Sequence, residues 1–201
     1  MMAIVPASMA QDKSADEYKN EGNAAVREKN YQAALEAYKQ AIALWGDSLD
    51  AMTVYNTADC ARRIAEYDTA IEYYNKAIEL NYKADFATYY IAEIYGKQEK
   101  TEERVALLEE AAQKYTEGKV ASFIKKGLAK EYTNKAMEAY KEGSTILAQV
   151  QNAKPEQYKE IQDRAAVKFA EAKPWVDKIL TVDPDNANAK TILNGIKDYV
   201  K

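Results

Sequence analysis

The chain has 201 residues, 47% hydrophobic and 30% charged, with a formal net charge of −4. That is apolar enough to fold and too acidic overall to track a nucleic-acid backbone. It has no histidine and one cysteine, Cys60, which excludes imidazole catalysis, histidine metal sites, a disulfide framework and a thiolate cluster. No apolar window reaches membrane-spanning length, so no membrane span is expected. Seven Gly and four Pro among abundant Ala, Glu, Lys and Tyr predict an all-α chain.

In chain order, residues 1–10, MMAIVPASMA, carry no charge and end in the small-x-small pattern Ser8-Met9-Ala10. They read as the remnant of a secretory signal peptide, although a positive leading region is missing. The expected consequence is a domain over 11–201, exported to a bacterial periplasm or cell envelope; without the signal reading it stays in the cytoplasm.

Residues 18–44, 54–80 and 88–114 then align with one another. The small residues Gly22, Ala58 and Ala92 recur at steps of 36 and 34 residues, and Ala34, Tyr38 and Ala41 are answered by Ala70, Tyr74 and Ala77, then by Arg104, Leu108 and Ala111. Each unit predicts two helices with a break between them, as at Lys29-Asn30. Small residues permit close backbone crossing, and the Tyr and Leu side chains fill the gaps beside it. A single hairpin of this kind cannot bury its apolar face alone, so neighbours must stack.

A fourth unit is split. Leu128, Ala129 and Tyr132 continue the first-helix pattern, Phe169, Ala172 and Ile179 the second, and 31 extra residues lie between. That insertion keeps helical apolar spacing on both sides of Asn152-Ala153-Lys154-Pro155, so it predicts an antiparallel helical arm over about 134–168. Pro174 is expected to kink or break the returning helix near Lys173. Residues 187–201 predict a capping helix, with Ala189, Ile192, Leu193 and Ile196 on one face.

This pattern resembles the tetratricopeptide repeat, a helix–turn–helix unit of 34 residues. The resemblance implies a right-handed α-solenoid of about four units (residues 15–48, 51–84, 85–118 and 122–184), with the arm in the last unit and the cap after it. Asp183-Pro184 matches the family's usual terminator. Two departures are Glu21 at an apolar position and Arg104 at a small one.

No constellation carries chemistry. Nucleotide-binding loops and an EF-hand are missing, paired acids such as Glu102-Glu103 sit on solvated helix faces, and Cys60 reads as a small packed hydrophobe. No catalytic residue, metal or cofactor is expected, and the chain is not expected to be an enzyme. The informative surface is the set of first-helix positions that lines the concave groove in the repeats it resembles. Here that set supplies Lys19, Asn23, Arg27, Tyr55, Asn56, Arg62, Arg63, Phe86, Tyr89, Lys97, Phe123, Lys126 and Lys130. Counted over all the groove positions, seven bases stand against three acids (Asp16, Asp59 and Glu93), so the groove is near +4 on a chain of −4. Arg and Lys among aromatic rings suit an acidic peptide.

The expected function is therefore a protein–protein interaction scaffold or adaptor that binds another protein or peptide, not nucleic acid. Homo-oligomeric self-assembly through the arm is the alternative. A third reading is a co-chaperone whose Lys19, Asn23 and Asn56 match the first half of the family's carboxylate clamp. In that reading Phe86 and Tyr90 stand where the second half needs cations.

Overall fold

A computed structural model describes residues 13–200, and every described element is helical. The signal-like segment 1–10 lies outside the described residues. The chain divides into two compact units, the first ending at Ile94 and the second beginning at Tyr95.

The first unit contains α1 (Ala15–Arg27), α2 (Tyr31–Trp45), α3 (Ala51–Arg63), α4 (Tyr67–Glu79) and most of α5 (Ala84–Lys97). Side-chain caps fix several of the starts. Ser14 and Glu17 form a reciprocal capping box on α1; Asn30 accepts from the Ala33 amide at 3.2 Å, and Asp50 from the Met52 amide at 3.2 Å. Helix α1 packs on α2, α2 on α3 and α3 on α4. The crossings are made by the small residues seen in the sequence: Ala34, Ala41, Ala58, Ala70 and Ala77 are fully buried, with Tyr38 and Tyr74 beside them.

The turn inside each helix pair repeats a feature with no signature in composition. Lys29, Ala65 and Glu99 hold left-handed backbone, with φ of 60°, 62° and 59°, at the 36- and 34-residue steps of the repeat. In each turn the next amide closes back on the helix: Asn30 N donates to Ala25 O, Glu66 N to Ala61 O and Lys100 N to Tyr95 O, all at 2.9 Å. This is a Schellman-type stop made without glycine. A left-handed non-glycine residue costs about 1–2 kcal/mol, and Ala65 is exposed. Ala65→Gly should therefore stabilise the first unit, by about 1 kcal/mol once the extra freedom of glycine in the unfolded chain is offset. Urea unfolding followed by circular dichroism reads the change, and a lower midpoint would contradict it.

The second unit holds the end of α5 with α6 (Thr101–Lys114), α7 (Gly118–Ala148), α8 (Tyr158–Val182) and α9 (Ala187–Ile196). Helix α7 has 31 residues and α8 has 25, about 46 Å and 37 Å at 1.5 Å per residue. Their outer halves are the expected arm, joined by the short 3-10 turns Gln149–Asn152 and Pro155–Gln157. Its seam is close-packed: Ala136 and Ala165 are fully buried, and Gly143 lies so tightly under the Phe169 ring that an added Cβ would be 2.5 Å from it. Phe169 also meets Tyr140 and Tyr199, at 5.8 and 5.0 Å between ring centroids, which joins the arm's base to the end of the chain. Helix α9 lies against both α7 and α8.

Of the two outcomes expected at Pro174, a kink or a break, the break does not occur: α8 continues through it to Val182. The cost of an interior proline, about 3 kcal/mol, is offset by burial on both sides. Ala172, Val176 and Ile179 are fully buried. Trp175 lies 5.9 Å from Tyr132, with the Lys135 and Lys178 ammonium groups 4.9 and 5.1 Å from its ring.

Arg104, the departure at a small repeat position, is buried where α6 meets α7. Its Nη1 donates to Glu131 Oε1 at 2.6 Å, and the two side chains are only 11% and 8% exposed. Gly96 makes the room: a Cβ there would lie 2.8 Å from Arg104 Nη1.

Candidate functional site

The sequence-selected residues fall into two groups, one in each unit. In the first unit most are engaged by neighbouring side chains of the same unit. Lys19 is ion-paired with Asp50, the residue that caps α3, and its ammonium lies 5.7 Å from the Trp45 ring. Asn23 accepts a hydrogen bond from the Tyr38 hydroxyl at 2.8 Å. Two of the three residues that match half a carboxylate clamp are thus engaged inside the fold.

Arg62 and Arg63 converge on one acid. Arg62 donates to Asp59 Oδ1 and, from Nε, to the Tyr74 hydroxyl at 3.0 Å, while Arg63 Nε donates to Asp59 Oδ2 at 2.7 Å. Their guanidinium planes also lie 4.3 Å from the Tyr90 ring and 4.9 Å from the Tyr31 ring. Burial pushes the Asp59 carboxyl upward, but the hydrogen bonds from Arg63 and Arg62 outweigh it and hold the group below the usual carboxylate range. The same contacts raise the Arg62 guanidinium against the opposing effect of its own burial.

Tyr55 is 8% exposed and packs edge-on against Tyr74 and Tyr82, so it belongs to the core of the unit. Phe86 and Tyr89 flank Tyr90 at 6.4 and 5.6 Å. Asn23, Arg27, Asn56, Cys60 and Arg63 border a small cleft of about 340 Å³. Cys60 is 2% exposed, and burial pushes its thiol up to about 11, so it stays protonated near neutral pH.

The second unit differs. Lys97 is exposed at the end of α5, and Phe123 is 39% exposed on α7. Lys126 and Lys130 border a cleft of about 810 Å³ between α7 and the α8–α9 turn, within the size range of ligand sites. Lys125, which the sequence reading did not select, lines it too. One wall is the row Ser122, Lys126, Lys130 and Asn134, each four residues beyond the last and so on one face of α7. The opposite wall carries Asp183, Asn186 and Asn188, and small apolar residues such as Ala121 and Ala129 separate the two. Lys125, Lys126 and Lys130 make no ion pair among the described residues. Asp183 accepts from Asn186 Nδ2 at 2.9 Å, and Asn186 Oδ1 caps α9 through the Ala189 amide at 3.0 Å.

Pairing decides which of these cations a partner could use. Asp50 lay outside the groove positions and neutralises Lys19, and Asp59 takes two arginines at once. Lys125 escaped selection because it is one residue off the expected face. Among the described residues no group of three or more Cys, Asp and Glu is placed to hold a metal ion, and no helix is long and apolar enough to cross a membrane.

Residues 17–83 match the family description Tetratricopeptide repeat. Over 112 residues the chain is 30% identical to the photosystem I assembly protein Ycf3 of Acaryochloris marina, covering 55% of this chain and 67% of that protein. It is 35% identical over 99 residues to the protein of the same name from Cyanophora paradoxa, covering 49% of this chain and 57% of that one. Among solved structures, a TPR repeats protein from Bacteroides fragilis superposes with a TM-score of 0.63 at 22% identity, over 92% of this chain and 98% of that one. At that identity the match speaks for the fold.

Proposed function

The chain belongs to the tetratricopeptide repeat family, and we propose that it is a non-enzymatic protein–protein interaction scaffold that receives an acidic peptide or protein segment on its first-helix faces. The observation that carries this reading is the cleft of the second unit, where Lys125, Lys126 and Lys130 stand without an ion-pair partner among the described residues. Stacked helices hold such a face in place before a partner arrives, so little conformational entropy is lost on binding. The two relatives are named for assembly, a task that this kind of display serves. Export to the periplasm or cell envelope is part of the proposal and is supported by the pattern of residues 1–10 alone.

The test is affinity capture from an extract of the source cell, comparing the native chain with Lys126→Glu/Lys130→Glu. These side chains are exposed and unpaired, so the variant should keep its helicity. A partner held by the native chain and lost from the variant supports the reading; a partner held equally by both removes the site from the cleft. Arg62 and Arg63 are poor test positions, because reversing them would set two new carboxylates beside Asp59 and disturb the first unit itself.

Self-assembly through the arm is a second reading, favoured by Ile146, Leu147 and Val150, which stay only partly covered near its tip. Light scattering of the chain before and after a short turn replaces residues 146–160 tests it. That cut spares the Gly143–Phe169 contact at the seam, and a monomer in both samples ends the reading.

A further inference from the structure

We infer that the cleft of the second unit selects an extended acidic segment whose carboxylates fall on alternate residues, one engaging Lys126 and the next Lys130. The inference rests on the scaffold reading above and gives its site a chemistry and a register. Four helical residues rise by about 6 Å, and two residues of extended chain advance by about 6.6 Å. The side chains of every second residue of a bound strand therefore keep step with the row Ser122, Lys126, Lys130, Asn134. Two carboxylates meet the two central ammonium groups, and the neutral hydroxyl and amide at the ends of the row can hydrogen-bond to the flanking residues.

The rest of the cleft agrees with this register. Lys125 adds positive charge beside the row, and Asp183 on the facing wall repels acids from that side, which confines them to α7. Intervening residues of the segment point the other way, toward Val182 and the α8–α9 turn. Lys19, Arg62 and Arg63 are held by Asp50 and Asp59, so an acidic segment gains little from them unless those internal pairs break.

Fluorescence anisotropy with three labelled nonapeptides tests the inference on the full chain. One alternating peptide carries two glutamates separated by one alanine in an otherwise neutral chain, one blocked peptide sets the same two glutamates side by side, and one replaces both glutamates with glutamine. The alternating peptide should bind several-fold tighter than the blocked one, and the glutamine peptide should not bind. Lys126→Glu/Lys130→Glu should weaken the alternating peptide at least about tenfold. Lys141→Glu, the same charge change on the exposed outer part of α7, should leave it unchanged. Binding should fade between low and moderate salt, as expected for exposed charges.

Equal affinity for the alternating and blocked peptides would overturn the register. Equal loss in the Lys141 variant would overturn the cleft as the site, and so would displacement of the peptide by millimolar inorganic phosphate, since a simple anion site would then account for the binding. No binding by any peptide overturns the inference and leaves the scaffold reading to the capture experiment, where a partner lost from the Lys126/Lys130 variant would still support it.

Discussion

Glu131→Ala is expected to destabilise the second unit by about 3–5 kcal/mol, the range for breaking a buried ion pair by removing one of its members. The charge left behind is Arg104, whose Nη1 sits 2.6 Å from Glu131 Oε1. The Arg104 side chain is only 11% exposed, and Gly96 lies against its guanidinium. The same physics predicts that the pair is a weak source of stability in itself. Arg104→Met combined with Glu131→Leu removes both charges, keeps much of the volume, and should bring stability back to within about 1 kcal/mol of the native chain or above it. Urea unfolding of the two variants and the parent reads both numbers. A mild single variant, or a double variant no better than the single, would show that the pair is solvated and not buried.

That pair also marks where the sequence stops being legible. Arg104 stands out by itself, since it breaks a pattern of small residues. Its partner does not, because Glu131 lies 27 residues away in the next helix pair and is one acid among 32 Asp and Glu residues. The helix pairs and the arm were legible because burial imposes a periodicity. Ala34, Ala41, Ala70, Ala77 and Ala111 are each at most 2% exposed, and each recurs in register. The left-handed turns at Lys29, Ala65 and Glu99 were not legible, since their geometry is imposed by the helices on either side and the residues have no glycine signature. The helix runs on through Pro174 for a related reason: the local preference against proline is real, but the burial that offsets it depends on α7, far away in the chain. For the candidate site, net charge could be counted and pairing could not. The residues that neutralise Lys19, Arg62 and Arg63 meet them through folding, and no count of charge along the chain shows those pairings.

Gly22→Ala puts repeat arithmetic and packing in direct opposition. Ala stands at the matching positions 58 and 92, and glycine inside a helix costs roughly 0.5–1 kcal/mol relative to alanine. Alignment therefore predicts a more stable protein. The structure predicts the reverse. A Cβ on Gly22 would lie 2.4 Å from Tyr38 Cε1, and Tyr38 is 1% exposed, so its ring has little room to retreat. Its hydroxyl also donates to Asn23 Oδ1 at 2.8 Å on the adjacent residue, which ties the ring to the same stretch of α1. The expected result is a loss of about 1–3 kcal/mol, typical of overpacking, measured as a lower urea midpoint for the first unit. Tyr38→Leu in the Gly22→Ala background should recover much of the loss, because it recreates the Ala92 and Leu108 pairing of the third repeat. If Gly22→Ala alone raised the midpoint, helix propensity would outweigh the contact and Tyr38 would be free to move. If the double variant fell further than the single one, the hydrogen bond to Asn23 would matter more than the space beneath the ring.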